Sequence, residues 1–379
     1  MNTQRFNWGK IGVSAQSTFF TASNGVEECH AMVHVEPCKD CFQKQLERLT
    51  QGVTHLMASQ ELEGFVPVMK RYFLSDAANQ ASLIDDSDKC AISFIQQPPL
   101  DGSKIGLWIY LQKGMHVYLH DGTAISEHNG YKHLYRMGMC STKGDSAQQT
   151  KTLLEQYEAD LQQYDATLAD NCIRTWFFVR DVDTQYAGLV HARKENFISQ
   201  GLTEHTHYIS STGIGGSPAQ TKALVQLGAY AITGIQPGQQ HYLYAATHLN
   251  PTYEYGVTFE RGTVLSFGDR EHVFISGTAS INNKGDVVHV GDIIKQAHRM
   301  LENVETLLSE GGANWNDVMQ IIVYLRDTAD YEVIRDLFAE KFPEMPIIIT
   351  LAPVCRPTWL VEMECIAVTT KNNPMFKEF

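Results

Sequence analysis

No run of lysine and arginine interrupts this chain of 379 residues, and 43 acidic against 30 basic residues leave a formal charge of −13. Phosphate would be repelled, so neither nucleic acid nor an anionic membrane is an expected partner. Any anionic ligand must be met by a few placed cations. No stretch approaches the ~18 apolar residues of a membrane span, and the opening MNTQRFNWGKIG lacks an apolar segment behind its charges. The expected location is the cytoplasm.

Clusters of metal ligands are missing too. The 15 histidines are dispersed and no His/Cys/Asp group has ligand spacing, so no metal and no cofactor is expected. Eight cysteines (Cys29, Cys38, Cys41, Cys90, Cys140, Cys172, Cys355 and Cys365) fall mostly within apolar stretches, which suits reduced, buried thiols. Cys38 and Cys41 form a C-x-x-C, but no second pair lies nearby to complete a zinc site, and the βαβ setting of a redox motif is missing. A strand-to-helix junction accounts for them.

What is present suits a folded protein with a large core: 43% hydrophobic and 19% charged residues, over a length that suggests two or three domains. The last hundred residues are the most ordered. A strand (HVFISGTASI), a helix (IIKQAHRMLENVETLLSEGG), a strand (DVMQIIVYLRD), a helix (YEVIRDLFAEKF) and a closing hairpin (PIIITLAPVCRPTWLVEMECIAV) follow one another. In the first helix Ile293, Ile294, Ala297, Met300, Leu301, Val304, Leu307 and Leu308 recur three or four positions apart, which gives one buried face. Gly311 and Gly312 stop it. In VEMECIAV, Val361, Met363 and Cys365 share one face, Glu362 and Glu364 the other.

The same order recurs upstream. Strands in STFFTASNGVEECHAMVHV, the helix FQKQLERLTQGVTHLMAS, the strand GFVPVMKRYFLSD, a short helix NQASLIDD and the pair CAISFIQQPPLDGSKIGLWIYL make a first module. A bridge, HDGTAISEHNG, leads to a second: strand YKHLYRMGM, helix SAQQTKTLLEQYEADLQQYDATLA, strand NCIRTWFFVRD, helix YAGLVHARKENF and the pair THYISSTGIGGSPAQTKALVQLGAYAI. Arg180, Asp181, Tyr186 and Phe197 align with Arg326, Asp327, Tyr331 and Phe342, allowing one extra residue. Expected domains are therefore 1–115, 116–240 and 241–379, with Gln236 to Thr258 read as a linker from its Gly, Pro, Tyr and His content.

Positions where the copies differ are the informative ones. The terminal strands IGLWIYL, VQLGAYA and VEMECIAV put Gly106, Gln226 and Glu362 at equivalent places. Only the third copy has an acid, so one working cleft is expected. The plain alternative for Glu362 is a solvated strand face.

FISGTASI, HRMLENVETLL, VYLRDTADYEVIRDLF and VEMECIAV together resemble the RidA (YjgF) superfamily over residues 256–368. The resemblance implies an α+β fold of RidA-like (chorismate-mutase-like) modules, each a mixed sheet with two helices on one face, arranged as an intramolecular pseudo-trimer. Trimerisation through the third copy is the alternative. It also implies that Glu362 sits in an inter-module cleft. RidA enzymes carry a carboxylate-gripping arginine where Ile348 stands here; module two offers His207 at the place aligned with it.

The hairpin VCRPTWLVE resembles the chorismatase branch, whose catalytic glutamate matches Glu362 and whose hydroxybenzoate-forming members have a cysteine matching Cys355. NPTYEYGVTFERGTV looks like that branch's Tyr-Gly and Phe-x-Arg segment, which implies Tyr255 and Arg261 near the substrate. The chemistry is consistent with this. An enol ether is inert until its methylene carbon is protonated, and a glutamic acid kept neutral by an apolar cleft could do so. A small anionic organic acid such as chorismate would need Arg356, Arg261 and His207 as local cations, with Gly277 and Thr278 offering backbone N–H groups. Each has a plainer alternative: Arg356 a solvent-facing turn residue, Cys355 a small buried hydrophobe, His207 a local hydrogen-bonding group. The expected activity is cleavage of the enolpyruvyl ether of chorismate or a similar cyclic acid to pyruvate plus a hydroxybenzoate or dihydrodiol. The alternatives are a RidA-type imine or enamine deaminase and a non-catalytic small-acid-binding protein.

Overall fold

The computed structural model describes residues 1–379 apart from Asp86 and the side chain of Tyr255. Module one comprises strands β1 (Asn2–Trp8), β2 (Val13–Thr21) and β3 (Glu27–Val35), helix α1 (Phe42–Met57), strand β4 (Val66–Leu74), the short helix α2 (Ala77–Gln80) and strands β5 (Ala91–Gln96) and β6 (Ile105–Lys113). The helix expected over residues 79–86 thus begins at Ala77 and tightens into a 3-10 turn at Ala81–Leu83, and the last of those residues lies outside the ones described.

Module two has β7 (His116–His120), β8 (Thr123–His128), β9 (Tyr131–Cys140), α3 (Ser146–Gln162), α4 (Leu168–Asn171), β10 (Cys172–Val179), α5 (Val182–Ser199), β11 (Ser210–Gly215), β12 (Ser217–Pro218) and β13 (Val225–Thr233). Module three has β14 (Gln240–Leu243), β15 (Gly262–Ser266), β16 (Arg270–Ala279), α6 (Ile293–Glu310), β17 (Val318–Leu325), α7 (Tyr331–Lys341), β18 (Ile347–Leu351) and β19 (Val361–Thr370). Among the described residues, no helix is long and apolar enough to cross a membrane.

The three sheets share one strand order: β1-β2-β3-β6-β4-β5, β7-β8-β9-β13-β10-β11 and β14-β15-β16-β19-β17-β18. In each, the last two neighbours run parallel and the strand before them antiparallel to both its partners. The closing hairpins expected from sequence are therefore not hairpins. β17 lies between β18 and β19, and β4 and β10 intervene likewise, because a strand that follows a helical crossover returns parallel to the one before it. Two further segments differ: the bridge HDGTAISEHNG belongs to the β7–β8 hairpin, turned at Asp121 with φ 46° and Gly122 with φ 78°, and the linker contains β14.

Alternation along the third-neighbour strands divides each module into two faces. On β6, Ile105, Leu107, Ile109 and Leu111 pack in the core that contains Leu49 and Leu56 of α1; on β13, Val225, Leu227, Ala229 and Ala231 pack with Leu153 and Leu154 of α3. The opposite faces turn inward and carry Trp108 and Tyr110, Tyr230, and Glu362 and Glu364. The two glutamates that alternate with apolar residues on β19 therefore face the molecular centre rather than water.

The sheets close on one another in a ring. β4 and β5 lie against β9, β11 against β16, and β17 against β3. Short backbone bridges repeat the pattern beyond the strand ends: Pro99 to Thr350, Ile214 to Val354, and β12 to Gln96 and Ile95 of β5. This is a pseudo-trimer within one polypeptide. At its centre Arg71, Arg174 and Glu364, one from each module, are almost wholly buried. Glu364 accepts from Arg174 Nη2 at 2.9 Å and from Trp176 Nε1 at 2.8 Å, with Arg71 Nη1 at 3.7 Å. Arg71 lies between aromatic faces, 5.1 Å from the ring centres of Trp108 and Trp176 and 4.9 Å from that of Phe178.

Removing one member of a buried ionic group leaves the others uncompensated, at a cost of about 3–5 kcal/mol, whereas replacing all by apolar residues is often neutral. Glu364→Gln should lower the free energy of urea unfolding by about that amount, and Arg71→Met/Arg174→Met/Glu364→Leu should recover most of it. An unchanged denaturation midpoint in Glu364→Gln would refute the keystone role given to this triad.

Candidate active site

Strand register aligns the modules independently of sequence. Tyr324 faces Glu362 across β17 and β19, Phe178 faces Gln226 across β10 and β13, and Phe73 faces Gly106 across β4 and β6. Similarly Ile348, Thr212 and Ser93 are equivalent, opposite Ile322, Trp176 and Arg71. The module-two counterpart of Ile348 is thus Thr212 and not His207, since the β10–β11 register begins only at Ser210.

Each seam brings one residue of the first set against one of the second, with three different outcomes. Between modules one and two, Gln226 Nε2 donates to Ser93 Oγ at 2.9 Å and seals the place. Between modules one and three, Ile348 fills the space a side chain at Gly106 would need: a Cβ there would lie 2.7 Å from Ile348 Cδ1. Between modules two and three, Glu362 meets Thr212 and Gly277. A Cβ on Gly277 would fall 2.3 Å from Glu362 Oε1 and 3.1 Å from Thr212 Cγ2, so only glycine leaves room for the carboxylate.

Here a cleft opens. Tyr186 and Arg193 of α5 line one wall, Arg261 and Gly277 another, and Cys355, Arg356, Trp359 and Glu362 the third. Glu362 is 5% exposed, and its carboxyl is pushed up to about 8, first by burial and then by the charge of Glu364, against the pull of Arg174 and Arg261. It holds its proton at neutral pH. Burial and the neighbouring Glu362 push the Cys355 thiol up to about 12, so this residue is a neutral S–H and not a thiolate nucleophile.

Each arginine has a neutral group in contact with it. Arg261 donates from Nε and Nη2 to the carbonyl of Asn250 at 3.3 and 2.9 Å. Arg193 donates from Nε to Thr258 Oγ1 at 3.2 Å. Arg356 stacks 5.0 Å over Trp359, whose Nε1 donates to the carbonyl of Ser280 at 3.0 Å. A neutral carboxylic acid among these guanidinium groups can bind an anionic molecule and hand it a proton.

Of the residues expected from sequence, the structure brings together Glu362, Cys355, Arg356, Arg261 and Gly277. The N–H of Gly277 is engaged by Thr212 Oγ1 at 2.9 Å, so glycine contributes space rather than a donor. Thr278 is buried and donates its hydroxyl to the carbonyl of Ser276 at 2.9 Å, away from the cleft. His207 stacks on Tyr242 at 4.7 Å and pairs with the carbonyl of Tyr208 at 2.9 Å, in a separate depression on the far side of Arg261. The Tyr255 side chain lies outside the described residues; its backbone ends a 3-10 turn, Thr252–Tyr255. Sequence reading missed Arg193 and Tyr186. The signal for Arg193 was there: it stands four residues before Phe197, as Phe338 stands four before Phe342, so the copies exchange a cation for an aromatic ring.

The family model described as endoribonuclease L-PSP matches residues 266–369. A RutC family protein of Pyrococcus abyssi (strain GE5 / Orsay) is 34% identical over 97 residues, which is 25% of this chain and 76% of that protein. A 3-hydroxybenzoate synthase of Streptomyces hygroscopicus is 27% identical over 223 residues, covering 52% of this chain and 63% of the synthase, so the match spans less than two thirds of that relative. The crystal structure of a chorismatase superimposes with a TM-score of 0.63 at 19% identity, covering 82% of this chain and 96% of that one.

A carboxyl raised from 4.5 when unfolded to about 8 when folded favours the folded state fully below pH 4.5 and loses that contribution as pH rises towards 8. Over that window the wild type should lose about 3–5 kcal/mol more unfolding free energy than Glu362→Gln. Parallel pH slopes for the two proteins in urea titrations would contradict a buried, neutral Glu362.

Proposed function

From a chain that belongs to the RutC family, and in the wider RidA-like superfamily stands near the chorismatase branch, we propose an enzyme that cleaves the enolpyruvyl ether of chorismate or a similar cyclic acid. One observation carries the reading: a carboxylic acid that stays protonated at neutral pH, in a cleft walled by Arg193, Arg261 and Arg356. The guanidinium groups would hold the two carboxylates of such a substrate, with planar donors matched to planar acceptors. Glu362 then gives its proton to the terminal methylene carbon. The ether carbon becomes an oxocarbenium centre, which the Glu362 carboxylate faces as counter-charge.

Capture of that centre by water gives a hemiketal that collapses to pyruvate and a ring diol. Capture by the neighbouring ring hydroxyl, whose proton passes to the Glu362 carboxylate, gives a cyclic ketal. Loss of the ring C–H proton then breaks that hydroxyl's ring C–O bond and aromatises the ring, and the aryl hemiketal left collapses to pyruvate and a hydroxybenzoate. Cys355 lines the cleft as a neutral, compact side chain, and its match to hydroxybenzoate-forming relatives supports the second outcome. Deamination as in RidA enzymes is disfavoured, because the arginine of that chemistry is Thr212 in the acid-bearing cleft and Ile348 at the next seam.

Purified protein incubated with chorismate should release pyruvate, measured by a coupled lactate dehydrogenase assay. kcat/KM should fall as pH rises through about 8, where Glu362 deprotonates. Glu362→Gln should lower kcat by about 10²–10⁴-fold, the usual contribution of a positioned general acid. No pyruvate above background sinks the reading. Cys355→Ala should retain pyruvate release and move the aromatic product towards the diol on reversed-phase chromatography; an unchanged product ratio removes Cys355 from the choice between the two routes.

A further inference from the structure

The seam between modules one and three is the counterpart of the acid-bearing cleft, and it too is open. It is the roomier of the two. Equivalent elements form it: α7 and β18 of module three replace α5 and β11, and β2 and β3 of module one replace β15 and β16. Its chemistry has been inverted. Phe338 occupies the place of Arg193, Ile348 that of Thr212, and Gly106 that of Glu362. No proton donor to carbon remains at that position, while the floor has become apolar.

We propose that this cleft is a second, non-catalytic binding site for a monocyclic carboxylic acid, held by its ring between Phe338 and Ile348 and by its carboxylate at Arg335 and Arg5. The cations have moved from the interior to the mouth. Arg5 reaches across the seam from β1 and donates from Nη2 to the carbonyl of Pro343 at 2.7 Å. Arg335 lies 5.7 Å from the centre of the Tyr331 ring and also contacts Asp336 at 2.8 Å. On the opposite wall His34 Nδ1 stands 3.7 Å from Asp101, a polar pair that can accept and donate to a ring hydroxyl. An apolar floor with polar groups confined to its edges selects a flat ring bearing peripheral oxygens over an extended polar chain. Occupancy of this cleft is independent of turnover at Glu362.

Calorimetric titration of the full chain with 3-hydroxybenzoate and benzoate tests this, with acetate as the ligand lacking a ring. Arg335→Ala and Ala339→Trp alter the mouth at exposed positions, where folding is tolerant, and circular dichroism melts check that it is. Arg356→Ala weakens the acid-bearing cleft and so separates the two sites. One equivalent of ring acid should still bind in Arg356→Ala, with affinity reduced about tenfold by Arg335→Ala and abolished by Ala339→Trp, and acetate should not compete. Absence of ring-acid binding in the wild type, or binding that disappears in Arg356→Ala and persists in Ala339→Trp, overturns the proposal. Failure of the chorismate assay leaves this outcome unaffected, because neither probe has an ether to cleave.

Discussion

The contact of Glu364 with Arg71 and Arg174 is the constraint on which the rest hangs. Each residue comes from a different module, and Glu364 meets both arginines only when all three sheets are closed. The same contact reaches the cleft. Arg174 Nη2 donates to Thr212 Oγ1 at 2.5 Å, Thr212 Oγ1 accepts the N–H of Gly277 at 2.9 Å, and Gly277 makes room for Glu362. The negative charge of Glu364 also acts on Glu362 through space and helps keep its proton on. Assembly and acidity thus share one buried carboxylate, which gives a physical reason for tolerating an ionic group that packed hydrophobes could replace.

Around that centre, a repeated geometry has taken three chemical courses. The position opposite the crossover strand is a sealing amide at Gln226, a vacated side chain at Gly106 and a buried, neutral carboxylic acid at Glu362. The neighbouring fifth strand answers with Ser93, Ile348 and Thr212 in turn. Register across the crossover strand is the same in all three, but β3 pairs with β6 without the bulge that β9–β13 and β16–β19 share, so the divergence includes the backbone beside Gly277.

The sequence made the modules legible because their periodicities are strong: α6 keeps one apolar stripe, and β19 alternates cleanly. Glu362 was visible because comparing copies exposes an acid where its sisters have none. Pairing was less legible. β18 and β19 are consecutive in the chain and look like a hairpin, yet β17 separates them, which only the non-local hydrogen bonds reveal. The β7–β8 hairpin was hidden because its strands are short and one face is mostly His, Tyr, Thr and Glu, although Asp121-Gly122 was a turn signal. Thr278 and His207 were misplaced for a related reason. The bulge between Ile275 and Thr278 turns Thr278 away, and His207 lies before the register of β11 begins. A single chain does not announce such offsets.

Joining the three modules covalently changes what one mutation can do. In an assembly of identical subunits every substitution is written three times, so an alteration at one crevice strikes all of them together. Here Gly106 and Ile348 can form an apolar pair while Gly277 and Glu362 keep their own geometry a seam away. Each crevice can therefore carry its own chemistry, a freedom that identical subunits do not have, realised inside a single folded body.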